Sequence, residues 1–131
     1  MTTDLQVLAW ALVLAFVQIL LPAGARTLQY GLPWNAGPRD EAVPPPNKLA
    51  GRLDRAEKNL FETLPLFIGA VLVAHLAGVE TGRIALGAWI YFWARVVYVP
   101  IYALGIPYVR TLVWIVSIVG LGMVLYAAVA S

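Results

Sequence analysis

The 131-residue sequence has no cysteine, which excludes disulfides, thiolate metal sites and a protein thiol nucleophile. Charge is nearly as scarce. Only 12% of residues are Asp, Glu, Lys or Arg, about half the share of a soluble domain, whereas 61% are hydrophobic. A single core cannot hide so much apolar surface, so the excess faces lipid. Four spans of about 20 residues consume about 80 residues, leaving room for one real loop and none for a second domain. The net charge of +2 has no soluble basic surface to carry it, which argues against nucleic acid as a partner and for a role in topology. There is no internal repeat and no low-complexity tract.

The first apolar stretch, Leu5 to Ala25, has no Lys or Arg ahead of it and, past Gln6 at its start, is interrupted only by Gln18. It ends in Ala23-Gly24-Ala25, which resembles a signal-peptidase site. It also opens with Asp4 and is too long for a signal core, so it reads as a span over about 5–25. Residues 26–50 form the one long loop, in which Pro44-Pro45-Pro46 is expected to be extended. The second span covers about 51–77, its helix starting near Asn47, a suitable N-cap. The third covers 83–104 and the fourth 107–130, with Pro107 expected in the first turn. The short turn at Gly105-Ile106 makes the last two helices antiparallel neighbours. Six of the nine basic residues (Arg26, Arg39, Lys48, Arg52, Arg55 and Lys58) lie in the long loop and the start of the second helix. The positive-inside rule then places that loop in the cytoplasm and both termini outside. The expected fold class is an all-α integral-membrane bundle of four transmembrane helices.

Ionisable groups within a span cost about 2.5–3.5 kcal/mol each on insertion scales, yet this chain keeps several. Arg52, Arg55, Asn59 and Glu62 are spaced 3, 4 and 3 residues apart and share one helical face. Tyr91, Arg95, Tyr98 and Tyr102 make a similar stripe on the third helix, and Arg110, Thr111 and Trp114 open the fourth. From the helical rise, Glu62 lies about 10 Å beyond Arg55 and Arg95 about 14 Å inside the turn between the last two helices. The three stripes therefore converge in the cytoplasmic half. Simpler roles also fit. Arg52, Arg55 and Lys58 suit an interfacial anchor, Glu62–Arg95 a structural salt bridge, and Tyr98 with Tyr102 an aromatic seam. His75 lies at the far end, outside the cluster. Pro65 and Pro100 free the carbonyls of Phe61 and Val96 beside it, where kinks would widen a cavity or merely aid packing.

The run Arg52-Leu-Asp-Arg55-Ala-Glu-Lys58-Asn59-Leu-Phe-Glu62-Thr-Leu-Pro65-Leu-Phe67 resembles the second-helix signature of the MAPEG family, the membrane-associated proteins of eicosanoid and glutathione metabolism. That signature is an arginine, then Asn-x-x-Glu, then a proline and an aromatic. Arg95-Val-Val-Tyr98-Val-Pro-Ile-Tyr102 and Arg110-Thr111 resemble the family's later motifs, and the resemblance covers almost the whole chain. It implies a homotrimer of four-helix bundles with glutathione bound between subunits as co-substrate. Lipophilic electrophiles would arrive from the bilayer. On this resemblance Arg26, Arg55, Asn59, Glu62, Tyr98, Tyr102, Arg110 and Thr111 match glutathione-site positions. Lys58 stands where the eicosanoid synthases have a second arginine, Tyr98 where one of them has histidine, and Trp114 where it has tyrosine. Lysine loses bidentate carboxylate recognition. These departures and the brevity of the chain suggest a generic member of a bacterial inner membrane rather than a prostaglandin or leukotriene enzyme.

Glutathione chemistry agrees with the residues. Two carboxylates and one ammonium call for surplus cations and one acid, and Arg55, Lys58, Arg95 and Arg110 against Glu62 supply them. The thiol, with a pKa of about 8.5, must ionise to attack. Arg110 and Thr111 at a helix N-terminus are expected to hold that thiolate. The expected activity is a glutathione-dependent transferase or peroxidase without a metal. The alternative is a lipid- or partner-binding membrane protein of the same fold without chemistry. A small multidrug exporter is disfavoured, because the first helix has Gln18 where such proteins carry an acid. Two structural expectations follow: a Glu62–Arg95 pair between the second and third helices, and a trimer in which Ala70, Ala74 and Gly78 let the second helix approach a neighbour.

Overall fold

The computed structural model describes residues 1–131, which form helices α1 (Thr3–Tyr30), α2 (Leu32–Ala36), α3 (Lys48–Leu76), α4 (Thr81–Ala103) and α5 (Val109–Val129). All but the five-residue α2 are long and apolar enough to cross a membrane. The expected N-cap is in place: Asn47 Oδ1 accepts from the Ala50 amide at 2.9 Å, and α3 runs unbroken through Pro65. α4 likewise continues through Pro100.

α1 outruns its expected end at Ala25. Pro22 removes one helical donor and Gly24 weakens the next turn, but no second proline follows and the helix runs on to Gly31, which adopts φ 94° and stops it. The loop therefore shrinks to 37–47, because α2, which carries Pro33 in its first turn, occupies part of it. Pro44–Pro46 lie outside any helix, and their carbonyls are open acceptors. Tyr30 Oη donates to Pro44 O at 2.6 Å and Gln29 Nε2 to Pro45 O at 3.1 Å, so the end of α1 clasps the proline run.

The four long helices alternate in direction. α3 and α4 form the middle of the bundle, α1 packs on one side against both and α5 on the other, with no close backbone approach between α1 and α5. Val7 and Ala11 of α1 meet Leu60, Phe67 and Val71 of α3, Ile84, Ala88 and Tyr91 of α4, and Val124 of α5 in one core. α4 and α5 approach backbone to backbone, since a Cβ at Gly120 would lie 2.7 Å from Gly87 O. Ala70 and Ala74 are buried within this core and Gly78 lies in the turn after α3 at φ 80°, so that stripe does not face a neighbour as expected. Large apolar side chains such as Phe16, Trp93 and Leu112 cover the outside.

At the end away from the long loop, fully buried Asp4 accepts from or pairs with His75, Oδ2 to Nδ1 at 2.7 Å. His75 is outside the polar cluster, as expected, but it ties α1 to α3. At the loop end, the start of α5 departs from expectation. Pro107 is not in the first helical turn. The chain leaves Gly105 at φ 71° and passes through Tyr108 at φ 57°, ψ −53°, whose neighbours Pro107 and Val109 close a γ-turn by a Val109 N–H to Pro107 O bond. Only then does α5 begin.

Candidate functional site

The loop end of α3, α4 and α5 brings two small cavities together. The outer one, of ≈ 270 Å³, is lined by Arg52, Arg55, Tyr102, Gly105, Ile106, Pro107 and Arg110. The inner one, of ≈ 120 Å³, is lined by Asn59, Tyr98, Arg110, Thr111 and Trp114. Arg110 belongs to both, so it stands at their junction.

Helical spacing explains the assembly. Tyr98 and Tyr102 sit four apart on α4 with ring centroids 5.5 Å apart, a short aromatic ladder running toward the loop end. Guanidinium groups stack along it. Arg95 lies 4.4 Å from the Tyr98 ring centroid, Arg110 5.0 Å and Arg55 5.8 Å from that of Tyr102. Arg55 Nε also donates to Tyr102 Oη at 3.1 Å. Arg52 Nη1 donates to Ala103 O at 3.3 Å, meeting a carbonyl that the end of α4 leaves free. Gly105 makes room for this, since a Cβ there would fall 2.6 Å from the Arg52 guanidinium.

The charge balance is one-sided. Arginine is always protonated, and three guanidinium groups line the outer cavity while neither cavity has a carboxylate in its wall. Asp54, one of the acids on this part of α3, is engaged elsewhere: it binds Lys58 at 2.9 Å and Arg26 at 3.5 Å. An anion is the chemistry this arrangement can accept.

The expected residues divide accordingly. Arg55, Asn59, Tyr98, Tyr102, Arg110 and Thr111 come together. Arg26 and Lys58 do not line either cavity and spend their charge on Asp54. The expected Glu62–Arg95 ion pair is absent. Arg95 is fully buried and donates Nη1 to Asn59 Oδ1 at 2.8 Å, whereas Glu62 is exposed on the protomer surface. Three residues along a helix turn a side chain about 60° away from its starting direction, which suffices to send Asn59 toward α4 and Glu62 outward. Arg95 therefore stands behind the inner cavity instead of lining it. Arg52 joins the site although only its place on the Arg55 face hinted at it.

A family model described as MAPEG family matches residues 7–130. No individual curated protein matches the chain.

Proposed function

The chain belongs to the MAPEG family of membrane proteins, and from that premise we propose that it is a glutathione-dependent transferase or peroxidase acting on lipophilic electrophiles. The observation that carries this reading is the pair of cavities sharing Arg110, rich in arginine and free of acids. The outer cavity suits a glutathione carboxylate, which Arg52 and Arg55 can meet with forked donors. The inner cavity suits the sulfur end. Arg110 and Thr111 are the second and third residues of α5, where backbone N–H groups lack helical acceptors and the helix end is electropositive.

In this mechanism the thiol loses its proton to solvent and the thiolate is held by Arg110, the Thr111 hydroxyl and the start of α5. Sulfur then attacks the electrophilic carbon, a C–S bond forms, and the leaving group departs with its electron pair. The electrophile reaches the site through the bilayer, because Thr111 and Trp114 are exposed on the protomer surface.

We further propose a homotrimer. Glu62 is exposed one turn, about 6 Å, beyond Lys58, where the apolar half of α3 begins and a lipid-facing carboxylate carries an insertion cost. A neighbouring subunit covering that face removes the cost and brings Glu62 toward a second protomer's cations. We place the protein in a bacterial inner membrane, with the basic loop end cytoplasmic and both termini outside.

Calorimetry of glutathione with the detergent-purified protein, followed by turnover of a generic electrophile such as a chlorodinitrobenzene, tests the reading. Binding with turnover is expected. Binding without turnover favours a lipid- or partner-binding protein of the same fold, and no binding at millimolar glutathione overturns the proposal.

A further inference from the structure

Arg95 is the largest fully buried side chain of the protomer and its charge has no partner. No carboxylate lies within ion-pair distance, and Nε and Nη2 meet no acceptor at all. Its one side-chain hydrogen bond is from Nη1 to Asn59 Oδ1 at 2.8 Å. Its flat face rests 4.4 Å from the Tyr98 ring centroid. As a packing element this is a poor arrangement, because a buried charge replaced by an apolar side chain of similar volume is often neutral or stabilising. The residue sits one layer behind the inner cavity, and both of its contacts, Asn59 and Tyr98, form that cavity's wall.

We infer that Arg95 is a positioning residue that locks the Asn59 amide with its NH2 group facing the cavity, so that the ligand atom met there must be a hydrogen-bond acceptor. The reason is the donor inventory. Arginine has five N–H donors and no acceptor, so the asparagine atom facing it has to be the oxygen. Asn59 lines the inner cavity with Tyr98, Arg110 and Thr111, and with Oδ1 taken by Arg95 its amide nitrogen is the side-chain polar atom left for a ligand there. A free asparagine turns over and serves either an N–H or an oxygen on a ligand. Arg95 removes that choice. The site then selects for a carbonyl or carboxylate oxygen at this point and rejects a ligand presenting N–H, since two donors would face each other. The identity of the ligand as glutathione rests on the reading above, but the locked amide does not.

Three variants of the full chain test this in detergent. Arg95→Met keeps bulk without donors, Arg95→Lys restores one donor, and Asn59→Asp places a carboxylate between Arg95 and the cavity. The chain has three asparagines, Asn35, Asn47 and Asn59, so the side-chain NH2 signals of 15N-asparagine-labelled protein are few enough to assign. Without ligand, Arg95→Met should shift or broaden the Asn59 signal alone, and Arg95→Lys should return it. In calorimetry, Arg95→Met should weaken glutathione by about tenfold, the value of one lost directed hydrogen bond, with Arg95→Lys recovering most of it. Asn59→Asp should raise thermal stability, by giving Arg95 a counter-ion, and abolish glutathione binding. An unmoved Asn59 signal in Arg95→Met overturns the inference, as does full glutathione affinity in Asn59→Asp. If Arg95→Met does not assemble, Asn59→Asp decides alone through its opposite effects on stability and affinity. Wild-type protein that binds no glutathione overturns the functional reading instead, and the Asn59 signal still decides the role of Arg95.

Discussion

Arg110 is the side chain on which two cavities meet, and its surroundings separate two roles for it. It is exposed and its guanidinium lies over the Tyr102 ring, so its removal takes little buried contact away. Arg110→Ala is therefore expected to keep thermal stability within about 0.5 kcal/mol, as for a surface substitution. If it holds the thiolate, the variant still binds glutathione through Arg52 and Arg55 yet loses the thiolate ultraviolet absorbance. Its rate should fall by two to three orders of magnitude, about 2.7–4 kcal/mol for one stabilising donor. Normal thiolate absorbance in the folded variant removes Arg110 from the mechanism. Asp4 offers a second test at this scale. It is fully buried against His75, and its Oδ1 has no partner. Asp4→Ala leaves His75 without its acceptor and opens a void, so a loss of about 1–3 kcal/mol is expected in thermal unfolding, with glutathione affinity unchanged because the pair lies at the other end of the bundle.

The helices differ in how tightly their pairing is specified. α4 and α5 meet through Gly87 and Gly120, where a Cβ on Gly120 would fall 2.5 Å from Tyr91 N and 2.7 Å from Gly87 O. Backbone atoms cannot yield as a flexible side chain does, so the helices must separate to admit any side chain there. Gly120→Leu is expected to cost more than about 3 kcal/mol, at the upper end of overpacking, and to abolish folded protein in detergent extracts. Gly122 on the same helix has nothing within 4 Å of its Cβ position, and Gly122→Ala should express like wild type. Equal yields from the two variants would contradict the close approach. The entry to α5 carries strain of a different kind. Tyr108 has φ 57° and the residue is 88% exposed, so glycine there relieves a positive φ with little loss of packing. Tyr108→Gly is expected to leave the melting temperature equal or higher, and a clear drop would mean that the tyrosine ring has a partner in the assembly.

At the scale of the molecule, the proposed trimer can be tested at Glu62. Glu62 and Arg55 are both exposed on the surface of α3, where a neighbouring subunit would give the carboxylate a polar partner in place of lipid. Glu62→Leu separates the possibilities. If Glu62 faced lipid, leucine would stabilise the protomer and leave assembly unchanged. If it faces a neighbour's cations, leucine strands them and the trimer fraction in native mass spectrometry falls. Persistent monomer or dimer in wild-type protein under mild detergent counts against the trimer itself.

Much of this architecture was legible in the residues. Lipid solvates no backbone polar group, so apolar run length alone counts the spans, and Asn47 marked the start of α3 by its side-chain chemistry. The antiparallel pairing of α4 and α5 followed from the few residues between them. The stripes on α3, α4 and α5 were visible as well, because spacing along a helix determines which side chains share a face. Which way a face turns is another matter. In a soluble helix the apolar side reports the core, but α1, α4 and α5 are apolar nearly all round, and the first half of α3 spreads its charges over several faces, so no such marker is left. Only packing decided that Arg95 turns inward onto Asn59 while Glu62 turns out, that Asp54 takes up Arg26 and Lys58, and that Arg52 joins Arg55 and Arg110 around Tyr102. The tight turn at Tyr108 was equally hidden, since a positive φ at a tyrosine has no local cause and is imposed by where α4 ends and α5 must begin.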